Sequence, residues 1–332
     1  MHTFEAHEAA ELAVVTRGDF IESRHVGSVV VLSPAGERVL ELGAPDGLVY
    51  ARSALKPLQA IASMNAGAEL QGAQIALAAG SHTGSFEHMK VAQAVLEEAG
   101  LTADALQCPP AWPADEPSYH ALVKAGHGKQ RLAFNCSGKH AAFLWACVKS
   151  GWSIEDYLEA DHPLQQLVLE TIEALTGEKP QAVTVDGCGA PLAATSLVGL
   201  AKAYSTLGAA VENIQADARA ATVATAMVDY PEFVHGHGGS DTVLSEVLDA
   251  VVKRGAEGVL AIGLRSGASV AVKMLDGSNR AASLVAVRAL QVAGFVDEST
   301  ADRAVEASTL PITGGGRPVG AIEPGSAFEG LL

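Results

Sequence analysis

Basic residues are in short supply in this chain. Lysine and arginine number 22 against 38 aspartates and glutamates in 332 residues, a net charge of −16. Such a surface repels a phosphate backbone, and no lysine or arginine cluster reverses the sign locally, which argues against nucleic acid as a partner. Long apolar runs are missing too: none reaches the ~18 residues that a membrane span needs. The first stretch, "MHTFEAHEAAELAVV", puts acids where a signal peptide needs a basic leader and an apolar core, so a cytoplasmic protein is expected. Cysteines are few, at positions 108, 136, 147 and 188, with no CxxC pair. That spacing gives no disulfide framework and points to reduced thiols. Cys147, inside "FLWACV", reads as a buried apolar thiol. There is no internal repeat and no low-complexity linker; "TGGGRP" is a short loop.

What is present is a large apolar fraction, 48% hydrophobic against 18% charged residues, enough for a packed core without staples. Around "SPAGE", the segments "GSVVVLS" and "RVLELG" alternate as two strands of a hairpin. Helical spacing then dominates in "KPLQAIASM", "FEHMKVAQAVLEEAG", "KHAAFLWACVKSG", "HPLQQLVLETIEALTG", "PLAATSLVGLAKAYSTLG" and "ADARAATVATAMVDY". A short strand, "AVTV", interrupts the series. Strands return in "GVLAIGL" and "SVAVKML", separated by "RSGA", and a helix near 279–295 and an extended "RPVGAI" close the chain. The expectation is one α+β unit over 1–332, with sheet-forming parts at 1–53 and 255–332 and a mainly helical part at 54–254.

Several clusters could carry chemistry. "FNCSGKHAAF" has the Gly-Lys pair of a phosphate loop, but the earlier glycine falls on Ala133 and the magnesium-binding hydroxyl on His140, so the nucleotide reading fails. In "YARSALKPLQAIAS", Ser53 stands one helical turn before Lys56, where a neutral amine can take the hydroxyl proton, and Arg52 beside them favours that neutral form. SxxK spacing by itself is also common on solvated helices. In "GSHTGSFEH", Ser85 suits a helix cap, whereas Ser81 suits either a cap or a cleft. Cys136 and Lys139 lie three apart at a helix start, and "DGCGAP" adds Asp186 and Cys188. Two thiolates and an amine could hold one soft cation with a position open; free buried thiols are the other reading. "HGHGGSD" is a Gly-rich loop in which Ser240 or Asp241 caps the next helix.

Taken in order, "ESRHVGSVVV", "ARSALKPLQA", "AAGSHTG", "NCSGKHAAFL", "DHPLQ", "DGCGAP" and "SVAVKMLDG" make the chain resemble the rhizobial-type (class 3) L-asparaginases, the asparaginase II protein family, over nearly its whole length. The resemblance implies a fold similar to serine β-lactamases and glutaminases, with an antiparallel sheet built from N- and C-terminal strands. It also implies hydrolysis of L-asparagine to L-aspartate and ammonia by a homodimer. Its two Ser-Lys pairs fall on Ser53 with Lys56 and on Ser81 with Lys273, its zinc ligands on Cys136, Lys139 and Cys188, and its substrate-binding positions on Arg52, His140 and Asp186. In this reading Ser53 attacks, Ser81 and Lys273 relay protons, and Zn2+ orients the substrate. A zinc-hydroxide amidohydrolase and a noncatalytic zinc-containing amino-acid-binding protein are the alternatives. The segment "CPPAWPADEPSYH" departs from the family pattern, which leaves the substrate range open.

Overall fold

A computed structural model describes residues 1–213 and 215–332. The chain opens with β1 (Ala10–Arg17), β2 (Phe20–Leu32), β3 (Arg38–Leu42) and β4 (Leu48–Tyr50). A 3-10 turn, Arg52–Leu55, runs into α1 (Lys56–Asn65), then α2 (Ala73–Ala79), α3 (Phe86–Glu98), α4 (Glu116–Lys124), α5 (Ser137–Ser150) and α6 (Pro163–Thr176). Next come β5 (Val183–Val185), β6 (Pro191–Ser196), α7 (Leu197–Ala210), α8 (Ala218–Asp229), α9 (Pro231–Val234) and α10 (Ser240–Leu248). The chain ends with β7 (Ala250–Arg254), β8 (Val259–Leu264), β9 (Ser269–Met274), α11 (Ala282–Val292), α12 (Glu298–Ser308), β10 (Ile312–Gly314), β11 (Arg317–Gly320) and β12 (Ile322–Pro324). These elements gather into two compact units. One comprises Met1–Ala54, Ala194–Ile214 and Val243–Leu332; the other comprises Leu55–Ala193 and Gln215–Thr242.

The first unit is built on an antiparallel sheet in the order β12-β1-β2-β9-β8-β7, with β3 also paired to β2. N- and C-terminal strands meet where Val29 stands opposite Val272 and Ser28 opposite Lys273. Alternate residues divide between two covered faces. Val29, Val31, Val270, Val272 and Met274 join the core under α11 and α12. On the opposite face Ser269 donates to the Ala201 carbonyl of α7 at 2.8 Å. With both faces buried, the strands read as continuous apolar runs, as in "GSVVVL". Two glycines let α7 lie against β8: a Cβ on Gly263 would fall 2.0 Å from the Tyr204 carbonyl oxygen, and one on Gly208 would fall 2.3 Å from that of Leu264.

The second unit is helical and centred on α5, buried from Ser137 through Cys147. α5 packs on α1, α2 and α3. Its start approaches α2 so closely that a Cβ on Gly138 would meet the Leu77 carbonyl oxygen at 2.7 Å. Helix ends follow side-chain chemistry: Ser85 and His88 form a reciprocal capping box on α3, and Gly151 and Gly177 close α5 and α6 in the left-handed region. One helical expectation changes. "PLAATS" is strand β6, and helix α7 begins only at Leu197, where the Ser196 hydroxyl accepts from the Gly199 amide at 2.9 Å. A short buried apolar run has no periodicity that separates strand from helix, and the cap settles the boundary. No helix among the described residues is long and apolar enough to cross a membrane.

Candidate active site

Lys56 opens α1 behind the 3-10 turn and is 1% exposed. Its Nζ contacts the Gly80 carbonyl, the Ser81 hydroxyl at 3.0 Å and the Asn135 carbonyl at 3.2 Å. Burial pushes its pKa below the ordinary lysine value, against an opposing pull from the Cys136 thiol. Ser81 is fixed from behind, because its amide donates to the Val234 carbonyl at 2.7 Å. At Gly80 the backbone passes so near that of Phe233 and Val234 that no Cβ fits.

The expected metal ligands also meet in the second unit. Lys139 Nζ stands 3.0 Å from Cys188 Sγ, and the Cys136 thiol donates to Asn135 Oδ1 at 3.1 Å. The neighbouring Cys136 thiol, reinforced by Lys139 and His140, pulls the Cys188 thiol far below its ordinary value, while Cys188 and burial hold the Cys136 thiol up. Burial lowers the Lys139 pKa, but the two sulfurs outweigh it and keep the amine above its ordinary value. Asp186 adds to that hold from the turn before Cys188, where its carboxylate accepts from the Gly187 amide at 2.8 Å. Two sulfurs and one amine, all buried and clustered, fit the Zn2+ that the family resemblance implies. Among the described residues no group of three His, Cys, Asp or Glu side chains could hold a metal, so the amine is the third donor in any such site. The remaining thiols are of another kind: burial raises Cys108 to about 11 and Cys147 to about 12.

The first unit holds Arg52, Ser53 and Lys273. Arg52 has φ +53, a left-handed conformation costly for a residue with a Cβ. Its guanidinium lies 4.0 Å from Glu257, itself at φ +60. Ser53 is half-buried in the 3-10 turn. On β9, Lys273 donates to the Glu257 carbonyl at 2.5 Å and to its neighbour Met274 at 2.8 Å; burial lowers its pKa against the pull of Glu257 and Asp276.

Two buried residues lie outside the sequence expectations. His82 accepts from the Gly84 amide on Nδ1 at 3.1 Å, so its Nε2–H donates to Ser137 Oγ at 3.0 Å, and Ser137 in turn donates to the Leu132 carbonyl at 2.8 Å. The ring thus ties the Ser81 loop to the start of α5. Tyr157 is fully buried, and its hydroxyl lies 2.7 Å from His140 Nδ1. Only its apolar body could have marked it in the sequence, and that marks a core residue equally well.

Activating a hydroxyl toward an amide needs a base within hydrogen-bond reach, and the Lys56–Ser81 contact supplies one. The sequence profile described as L-asparaginase II matches residues 13–324. The chain belongs to the L-asparaginase II family. No curated protein matches it significantly. Among solved structures it is similar to Mglu in its glutamate form, at 13% identity and TM-score 0.47, the match covering 82% of this chain. This chain spans 62% of that protein's length. A β-lactamase from Mycobacterium bovis matches at 14% identity and TM-score 0.40, covering 86% of this chain and 95% of that one.

Proposed function

We propose that the chain is an L-asparaginase that cleaves the side-chain amide of L-asparagine through an acyl-enzyme, with Lys56 as the base. The observation that carries this reading is the set of partners around Lys56 Nζ. In a neutral amine the two N–H bonds would go to the Gly80 and Asn135 carbonyls, which can only accept. In that form its lone pair would face the Ser81 hydroxyl, 3.0 Å away. Burial favours this neutral form over the ammonium. Lys56 therefore removes the Ser81 proton as the oxygen attacks, and returns it to the departing ammonia. Water then releases L-aspartate by the same route.

A second reading keeps Ser53 as the nucleophile, with Ser81 and Lys273 as the relay. The left-handed Arg52 favours it, because such strain persists where a turn must hold a functional side chain. In both readings Cys136, Lys139 and Cys188 would hold Zn2+. When bound, the ion supplies positive charge that orients a polar substrate. His140, Asp186 and Arg52 bind that substrate.

Ammonia release from L-asparagine by wild type, Ser81→Ala and Ser53→Ala decides between the readings, together with the residue that gains mass when the acyl-enzyme is trapped. The first reading expects the adduct on Ser81 and a loss of at least ~100-fold in Ser81→Ala. An adduct on Ser53 selects the second. Full turnover in both variants removes the Ser-Lys mechanism altogether.

A further inference from the structure

In the first unit, two residues that carry a Cβ stand in the left-handed region with their charged ends close together. They are Arg52, at φ +53, and Glu257, at φ +60 in the turn between β7 and β8. Such a backbone is unfavourable for both residues and persists only where the surroundings hold it. The guanidinium and the carboxylate lie 4.0 Å apart, and the carboxylate makes no hydrogen bond among the described residues. The Glu257 side chain is 65% exposed, and an ion pair so open to solvent adds little to stability. Stability therefore does not account for two strained turns.

The turn that carries Glu257 is fixed on several sides. Its own carbonyl accepts from Lys273 Nζ at 2.5 Å. A Cβ on Gly258 would fall 2.7 Å from that of Met274, and one on Gly255 would fall 2.4 Å from the Ala51 carbonyl oxygen, beside Arg52. Gly277 leaves room for the carboxylate, since a Cβ there would meet Glu257 Oε2 at 2.5 Å. A guanidinium binds a carboxylate through paired N–H donors, and a carboxylate accepts from an ammonium. A cation and an anion 4.0 Å apart thus complement an amino acid, whose α-carbon bears the same two charges in reverse. Burial lowers the pKa of Lys273, which lessens the repulsion that this amine offers to an incoming ammonium.

We propose that Glu257 is a specificity-determining residue whose carboxylate accepts from the α-ammonium of an amino-acid substrate while Arg52 holds its α-carboxylate. The inference rests on the asparaginase reading for the substrate and for the role of Arg52. What it adds is discrimination between an amino acid and the same molecule without its amino group.

Turnover of L-asparagine and of succinamate, which is L-asparagine without its α-amino group, by wild type and Glu257→Gln tests it. Glutamine keeps the length of the side chain and removes its charge. In Glu257→Gln, KM for L-asparagine is expected to rise about ten-fold and KM for succinamate to stay within about two-fold of wild type, with kcat changed less. Calorimetry reads the same contrast without turnover: L-aspartate should bind Glu257→Gln about ten-fold more weakly, and succinate as it binds wild type. Should Glu257→Gln fail to fold, Glu257→Gly, whose backbone suits a left-handed turn, should show the same split. Equal losses for both members of a pair overturn the inference, because a distorted turn does not read an amino group. No change for any of the four compounds overturns it too. The binding contrast in a protein with no turnover would count against the asparaginase reading alone; normal turnover with equal losses would count against this inference alone. Wild type that neither binds L-aspartate nor cleaves L-asparagine would overturn both.

Discussion

Lys56 and His82 face the same physical situation, a titratable group enclosed in protein, and both are pushed toward the neutral form. For Lys56, in the proposed function, the consequence is catalytic. The fraction able to accept a proton grows as pH rises through its folded-state pKa, so kcat/KM is expected to climb with pH along a limb whose midpoint lies below the ordinary 10.5 of a lysine. Lys56→Arg, which stays charged throughout, is expected to lose at least ~100-fold and the limb with it. A flat profile in wild type would sink the assignment. For His82 the consequence is stability. Burial, followed by the neighbouring His88 and Lys56, holds its pKa well below 6.5. Below pH 6.5 the unfolded chain therefore binds a proton that the folded one refuses, and stability falls as pH drops, by up to about 1.4 kcal/mol per pH unit. Urea unfolding between about pH 5 and pH 7 should show a shallower loss in His82→Gln than in wild type; parallel curves would mean that His82 is not the group responsible. The sequence offered Ser81 and Lys56 as reactive types but paired each with another residue. Their contact joins α1 to the loop after α2, and no spacing rule reports a meeting across a fold. His82 was invisible for a related reason: a histidine in a Ser- and Thr-rich loop reads as part of a cap until Ser137 is brought to its ring.

At the scale of elements, legibility depended on whether an element has one wet face or none. The amphipathic helices α3, α6 and α8 and the hairpin of β8 and β9 stand where periodicity put them. β6 and α7 share a uniformly apolar stretch, and only the Ser196 cap divides it. β1 was passed over because "AELAVV" does not alternate apolar and polar residues; it pairs with β2 directly after it and, on its other edge, Val15 faces Ile322 from the far end of the chain. The contact of α7 with β8 makes a prediction that the sequence could not. Gly263 and Gly208 each stand where a methyl group would overlap a backbone oxygen, and neither oxygen can move without shifting a helix or strand. Gly263→Ala is expected to cost at least about 1–3 kcal/mol, because overpacking is relieved only by backbone displacement. Gly128→Ala serves as a control, since its Cβ meets nothing within 4 Å and its backbone is not left-handed. Chemical denaturation of the two variants should separate them clearly; equal losses would show that the closeness of α7 to β8 is not what makes Gly263→Ala costly.

Over the whole molecule, the thiol and amine cluster, if it holds Zn2+ as proposed, would link metal, protons and folding. Cys188 is already held as the thiolate, so it can meet a cation without giving up a proton. Lys139 and Cys136 are both held in their protonated forms and must each release one before they can coordinate. Binding one Zn2+ near neutral pH is therefore expected to expel about two protons, and the apparent affinity should rise about 100-fold per pH unit while both groups stay protonated in the metal-free protein. Calorimetry in buffers of different ionisation enthalpy reads the proton count directly. Because the ligands come from α5 and from the turn before β6, the ion should also oppose unfolding, by about 2.7 kcal/mol when free metal exceeds Kd about 100-fold. Cys188→Ser should abolish that gain and Lys139→Ala should weaken it while lowering the proton count by about one. Zinc that binds without releasing protons, or that stabilises Cys188→Ser as much as wild type, would mean that it sits elsewhere and that the cluster owes its arrangement to the Lys139–Cys188 ion pair alone.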